Sequence, residues 1–105
     1  MKNMSVAVAA IAQPNPQDLV LSGAWTARGL GGIEGQLEAI RITSTTQVLA
    51  DGAGVEALDT AGAWVLHKLL RRLEGEGVAV ELRGLRPEFA KLLAVVAQHV
   101  AGQAS

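Results

Sequence analysis

The chain has no cysteine among its 105 residues. That absence excludes a disulfide framework, a thiolate zinc site and a cysteine nucleophile, and it fits a reducing compartment such as the cytoplasm. Histidine is scarce: two residues are too few for most metal cages, so neither a metal nor a cofactor is expected. No excess of either charge is present. Nine Lys and Arg against ten Asp and Glu leave a formal net charge of -1, which gives no general attraction to phosphate backbones or acidic membranes and argues against nucleic acid as a partner. No run approaches the ~18 apolar residues of a membrane span. The opening "MKNMSVAVAAIAQPNP" combines a lysine, an apolar run and small residues, as signal peptides do. Its run is short, rich in Ala and Val, and closed by Pro-Asn-Pro, which fits a first strand better.

What is present is an alternation of strand and helix patterns in a chain of single-domain length. Residues 5–12 suit a first strand, "QPNPQD" a turn whose prolines interrupt any ladder, and "DLVLSGAW" (18–25) a second strand. Leu30, Ile33, Leu37 and Ile40 recur at helical spacing between Arg28 and Ile42, weakened by glycines at 29, 31, 32 and 35. "TQVLADGAG" reads as a third strand, apolar and then abruptly polar. A strong amphipathic helix follows from Ala61, stopped by Gly75 and Gly77. Val78, Val80 and Leu82 alternate as a strand, and Pro87 opens a helix striped by Phe89, Leu92, Leu93, Val96 and Val100. The order β-β-α-β-α-β-α predicts one α/β domain over residues 1–105, core roughly 18–98, with a mixed four-stranded sheet that is parallel over its later strands. Strand order is left open.

At ~100° per residue, Gly62, Val65, Leu66, Leu69, Leu70 and Leu73 of the central helix share one side, as a helix laid on a sheet requires. Thr60, Trp64, His67 and Arg71 fall opposite, with Lys68 adjoining, on the side expected to face water. An indole there is either covered by a loop of the same domain or serves as an anchor for a partner. Asp59 and Thr60 stand at the N-cap, where either side chain can accept from first-turn amides. A phosphate on Thr60 would add about -1.5 to -2 charges at a helix N-terminus, with Asp59 opposing it.

The stretch "VLADGAGVEALDTAGAWVLHKLLRRLEGEGVAVELRGL" resembles a STAS domain, the module named after sulfate transporters and anti-sigma factor antagonists. Asp51, Asp59, Thr60 and Gly62 match its pattern of a strand ending in an acid, a short loop and an Asp-Ser/Thr-x-Gly helix start. Within the family, "LSGAW", "LDTAGAW" and "LRGLRPEFAKLL" are most similar to the N-terminal domain of Mla-type lipid-transport ABC permeases. The resemblance implies a non-enzymatic docking domain in the cytoplasm, at the inner face of the membrane if it belongs to a transporter. Its partner would be the transporter's ATP-binding subunit or, in the alternative, an anti-sigma factor kinase switched by phosphorylation at Thr60. The antagonists usually carry serine at the acceptor position and often a second serine after it, and Thr60 and Ala61 depart from that. The expected contact patch comprises Asp59, Thr60, Gly62, Ala63, Trp64, His67, Lys68 and Arg71, with Asp51 supporting the loop before the helix. The chain reads equally as a stand-alone protein or as the front of a longer permease.

Three other classes meet specific obstacles. "GLGGIEG" imitates a dinucleotide-binding loop, but Glu34 occupies the third glycine of G-x-G-x-x-G, where it would face the pyrophosphate. A phospho-receiver built on Asp51 lacks the acid pair and the lysine its chemistry needs. A hydrolytic or metal site would require Glu56, Asp59 and His67 to converge, whereas His67 is expected on the outer side of its helix and His99 near a fraying terminus, both solvated.

Overall fold

The computed structural model describes residues 8–42 and 46–103. Its elements are β1 (Ala10–Asn15), β2 (Asp18–Trp25), α1 (Ile33–Ala39), β3 (Gln47–Leu58), α2 (Thr60–Gly75), β4 (Ala79–Arg83) and α3 (Pro87–Gln103). The strands form one sheet in the order β1-β2-β3-β4. β1 runs antiparallel to β2, and β2, β3 and β4 are mutually parallel neighbours. This is the expected small α/β domain with a mixed four-stranded sheet.

The alternation within each strand decides which face carries the core. Leu19 and Leu21 of β2 and Val48 and Ala50 of β3 are buried, and they join Ile33 and Leu37 of α1 and Leu66, Leu69 and Leu73 of α2 in a single cluster. Phe89 and Leu93 of α3 pack against it. The intervening residues Val20, Asp51, Glu81 and Arg83 point to the other face and are exposed. The period of two separates a covered face from an open one.

Four local expectations are corrected. Of the proposed first strand, residues 5–7 lie outside the described residues, and the observed strand reaches past Pro14 to Asn15. An edge strand tolerates a proline because one side of its ladder has no neighbour, and the register shifts between Ala12 and Asn15 to accommodate it. The turn is reduced to Pro16 and Gln17, with the Gln17 amide donating to Asn15 Oδ1 at 2.9 Å.

The first helix is shorter than its apolar spacing suggested. It begins at Ile33 because Gly29, Gly31 and Gly32 serve the loop before it: a Cβ on Gly29 would sit 2.2 Å from the Ala24 carbonyl oxygen, and Gly31 has φ +39°.

The third strand is longer. The strand expected over 46–54 runs on to Leu58 as β3, paired with β2 as far as Trp25↔Leu58, where the family resemblance implied a short loop after Asp51. Gly54 is there for close approach, since a Cβ would lie 2.9 Å from the Leu21 carbonyl oxygen. Lastly, α3 continues through His99 to Gln103 rather than fraying there.

The stop of α2 is a Schellman arrangement. The Val78 amide donates to the Leu73 carbonyl at 2.9 Å and the Gly77 amide to the Glu74 carbonyl at 3.0 Å, which needs Gly77 at φ +86°.

Candidate functional site at the start of α2

The start of α2 is fixed by two residues of the signature. Asp59 is the N-cap: its Oδ1 accepts from the Gly62 amide at 2.9 Å. Its Oδ2 accepts from the Ala27 amide at 3.0 Å, so one carboxylate ties the β2–α1 loop to the helix. The Ala27 N–H is the main cause that holds this carboxyl below the usual carboxylate range; partial burial opposes it, and the Gly62 N–H adds to it. Gly62 sets how closely the helix lies on the sheet. A Cβ there would fall 1.6 Å from the carbonyl oxygen of Trp25, inside the van der Waals radius of backbone that cannot swing away.

Beneath that contact lies Trp25, 0% exposed, its indole N–H donating to the Ser22 carbonyl at 2.9 Å. Sequence reasoning placed Trp25 at the end of a strand without assigning it this role. Its odd-numbered place in the same strand as the inward Leu19 and Leu21 was the available signal.

Thr60 differs from both neighbours in the motif. It is the first helical residue, exposed, and its hydroxyl makes no hydrogen bond among the described residues. Asp59, and not Thr60, performs the capping. Trp64 is 42% exposed, and Lys68 and Arg71 are exposed along the same flank.

Three expected members of the patch lie elsewhere. Gly62 and Ala63 are buried, Ala63 completely. His67, expected in solvent, is 9% exposed. Its ring stacks with Trp64 at 6.3 Å between centroids, and its Nε2 has no partner among the described residues. The helix is packed by α3 and tethered to α1, so the arc it buries is wider than the sheet-facing stripe.

Asp51 is also displaced from its expected role. It sits at the last pair between β3 and β4, opposite Arg83, with Oδ1 accepting from Ala53 N at 2.9 Å. At ~3.3 Å per residue it lies roughly 26 Å along the strand from Asp59. It braces the middle of β3 beside Gly84, not the entry to α2.

A further feature gave no sequence signal. Between α1 and α2 runs an open groove of about 690 Å³ with an apolar floor that includes Leu37 and Leu69. Arg72 closes its base by donating to the carbonyls of Leu37 (3.1 Å) and Ile40 (2.9 Å) at the end of α1, which also accept from the Ile40 amide and the Arg41 guanidinium.

The groups needed for the competing chemistries do not meet. The Asp59 carboxylate is occupied by two amides, Glu56 is exposed on β3, and His67 is under Trp64. Among the described residues no three of His, Asp and Glu are grouped to hold a metal ion. No helix of the described residues is long and apolar enough to cross a membrane. Glu34, which blocks the imitation dinucleotide loop, points to Lys68 at 4.0 Å.

These features define a small α/β domain with Thr60, Trp64, Lys68 and Arg71 exposed on the outward flank of one capped helix. The family described as "Mlab, STAS domain" matches residues 8–99, nearly the whole chain. The chain belongs to the STAS domain family, whose members are in general interaction or regulatory modules and not catalysts. No curated protein matches it.

Proposed function

We propose that this domain assembles or regulates a lipid-transport ABC transporter at the cytoplasmic face of the membrane, docking on the ATP-binding subunit through the flank that begins at Thr60. One observation carries the reading. In the Asp-Thr-x-Gly start, the aspartate caps the helix and the glycine admits the Trp25 carbonyl, but the threonine hydroxyl makes no hydrogen bond among the described residues. A side chain with no hydrogen bond among the described residues, exposed on the same helix flank as a half-exposed indole and two cations, is suited to contact another protein. The family description and the Thr60-Ala61 pair, where the antagonists tend to have serines, support a transporter over sigma-factor control.

The test is binding of the purified domain to the ATP-binding subunit encoded in the same genome, with Thr60→Ala and Thr60→Glu side by side. Glutamate weakens binding more than alanine if the flank is a close-contact surface that does not accept charge. Equal damage by alanine means that the partner reads the hydroxyl itself. No binding by the parent domain would defeat the transporter reading. The exposed hydroxyl, without a hydrogen bond among the described residues, also favours a second reading, an antagonist phosphorylated at Thr60 by an anti-sigma factor kinase. Incubation with such a kinase and labelled ATP, followed by loss of label in Thr60→Ala, separates the two.

A further inference from the structure

The groove between α1 and α2 has walls of opposite charge. α1 supplies Glu34 and Glu38, α2 supplies Lys68 and Arg71, and an apolar floor lies between them, with the indole of Trp64 at its rim. Across the groove the walls make one ion pair, Lys68 to Glu34, at 4.0 Å with both side chains more than half exposed. Such a pair is weak and easily exchanged. Glu38 and Arg71 have no ion-pair partner among the described residues. An apolar channel with an acidic bank and a basic bank is complementary to an amphipathic helix that carries basic residues along one edge of its apolar ridge and acidic residues along the other.

We propose that the α1/α2 groove receives such a helix from the protein partner, its apolar ridge on Leu37, Leu69 and Trp64, its basic edge on Glu34 and Glu38, its acidic edge on Lys68 and Arg71. This rests on the docking function proposed above and extends it by naming the element that docks and its direction. The two banks fix orientation. A helix inserted in reverse, or with its charged edges exchanged, meets like charges on both sides. The long intramolecular pair is replaced by intermolecular pairs on each bank, and the two unpaired charges gain partners.

The probes are two synthetic amphipathic helices with the same leucine ridge, one with lysine and glutamate edges arranged to match the banks, the other with those edges exchanged. Because Trp25 is fully buried, a change in tryptophan fluorescence on titration reports Trp64. The matched helix saturates the signal at a concentration about tenfold lower than the exchanged one. The quadruple variant Glu34→Lys, Glu38→Arg, Lys68→Glu, Arg71→Glu, altered at exposed positions only, inverts that preference while its circular dichroism stays that of the parent. Equal binding of both helices, no response to either, or a response to rising concentration of the domain alone, which would mean a second copy in the groove, overturns the proposal. Binding of the ATP-binding subunit is measured on the same quadruple variant. If it persists while the helices fail to discriminate, the docking function stands and the groove proposal falls; if the parent domain does not bind the subunit, the docking function falls as well.

Discussion

The two tryptophans of this chain are the same side chain put to opposite uses. Trp25 closes β2, is 0% exposed, bonds its indole nitrogen to Ser22, and offers its own carbonyl as the floor on which Gly62 rests. Trp64 stands on the first outward turn of α2, 42% exposed, with no hydrogen bond from its indole nitrogen among the described residues. Only a few ångströms of helix separate the contact at Gly62 from the indole at Trp64, yet one is a structural keystone and the other a surface group. The difference lies in what each indole displaces from water: the first is surrounded by core on all sides, the second by α2 on one side only.

The comparison breaks most visibly at Trp25. Trp25→Ala should cost about 3–5 kcal/mol through transfer and cavity terms, seen as a lower midpoint in urea denaturation, while Trp64→Ala should alter stability by less than about 1 kcal/mol. Binding should show the reverse pattern for Trp64, with Trp64→Ala costing about 2 kcal/mol or more of affinity for the ATP-binding subunit if the indole is an anchor. An unchanged affinity with the fold intact would remove Trp64 from the docking surface.

Gly62→Ala probes the seam between the two indoles. The added Cβ meets Trp25 backbone at 1.6 Å, so the helix start must lift, at about 1–3 kcal/mol or more. An unperturbed midpoint would mean that the helix does not lie this close in solution.

The smallest effect is that of the cap. Asp59→Ala should cost about 1 kcal/mol. Its carboxyl is held low in the folded state, so its contribution is fully present above the ordinary aspartate value of about 3.9 and is lost as pH falls through the lower folded value. Asp59→Asn, which can still accept from Gly62, should flatten that acid limb, read by denaturation midpoints between about pH 5 and pH 2.

Much of this was legible along the chain, for identifiable reasons. β2 was found at its observed bounds because Leu19 and Leu21 alternate before Gly23, and α2 because Asp59 is an acceptor placed directly before a 3.6-residue stripe. His67 was misplaced because a helical wheel assumes a single contacting surface. With α3 on one flank and α1 tethered through Arg72 on the other, the buried arc widens to include Ala63 and His67. The continuation of β3 from Val55 to Leu58 was missed because a glycine required by a neighbouring backbone and a glycine required by a turn are the same letter. Of the expected contact residues, Thr60, Trp64, Lys68 and Arg71 lie together on the exposed flank, whereas Gly62, Ala63 and His67 are buried; Asp51, expected to support the loop before the helix, is remote from it.

By itself the sequence determined the element order, the capped start of α2, its glycine stop and the side of it that meets the sheet, because these depend on periodicity and on local hydrogen bonding within a few residues. Only the tertiary structure decided the strand order, the extension of β3, the burial of His67 and the charged groove between α1 and α2. Each of those is a relation between segments distant in the chain, set by how closely two backbones approach, and no local pattern encodes that distance.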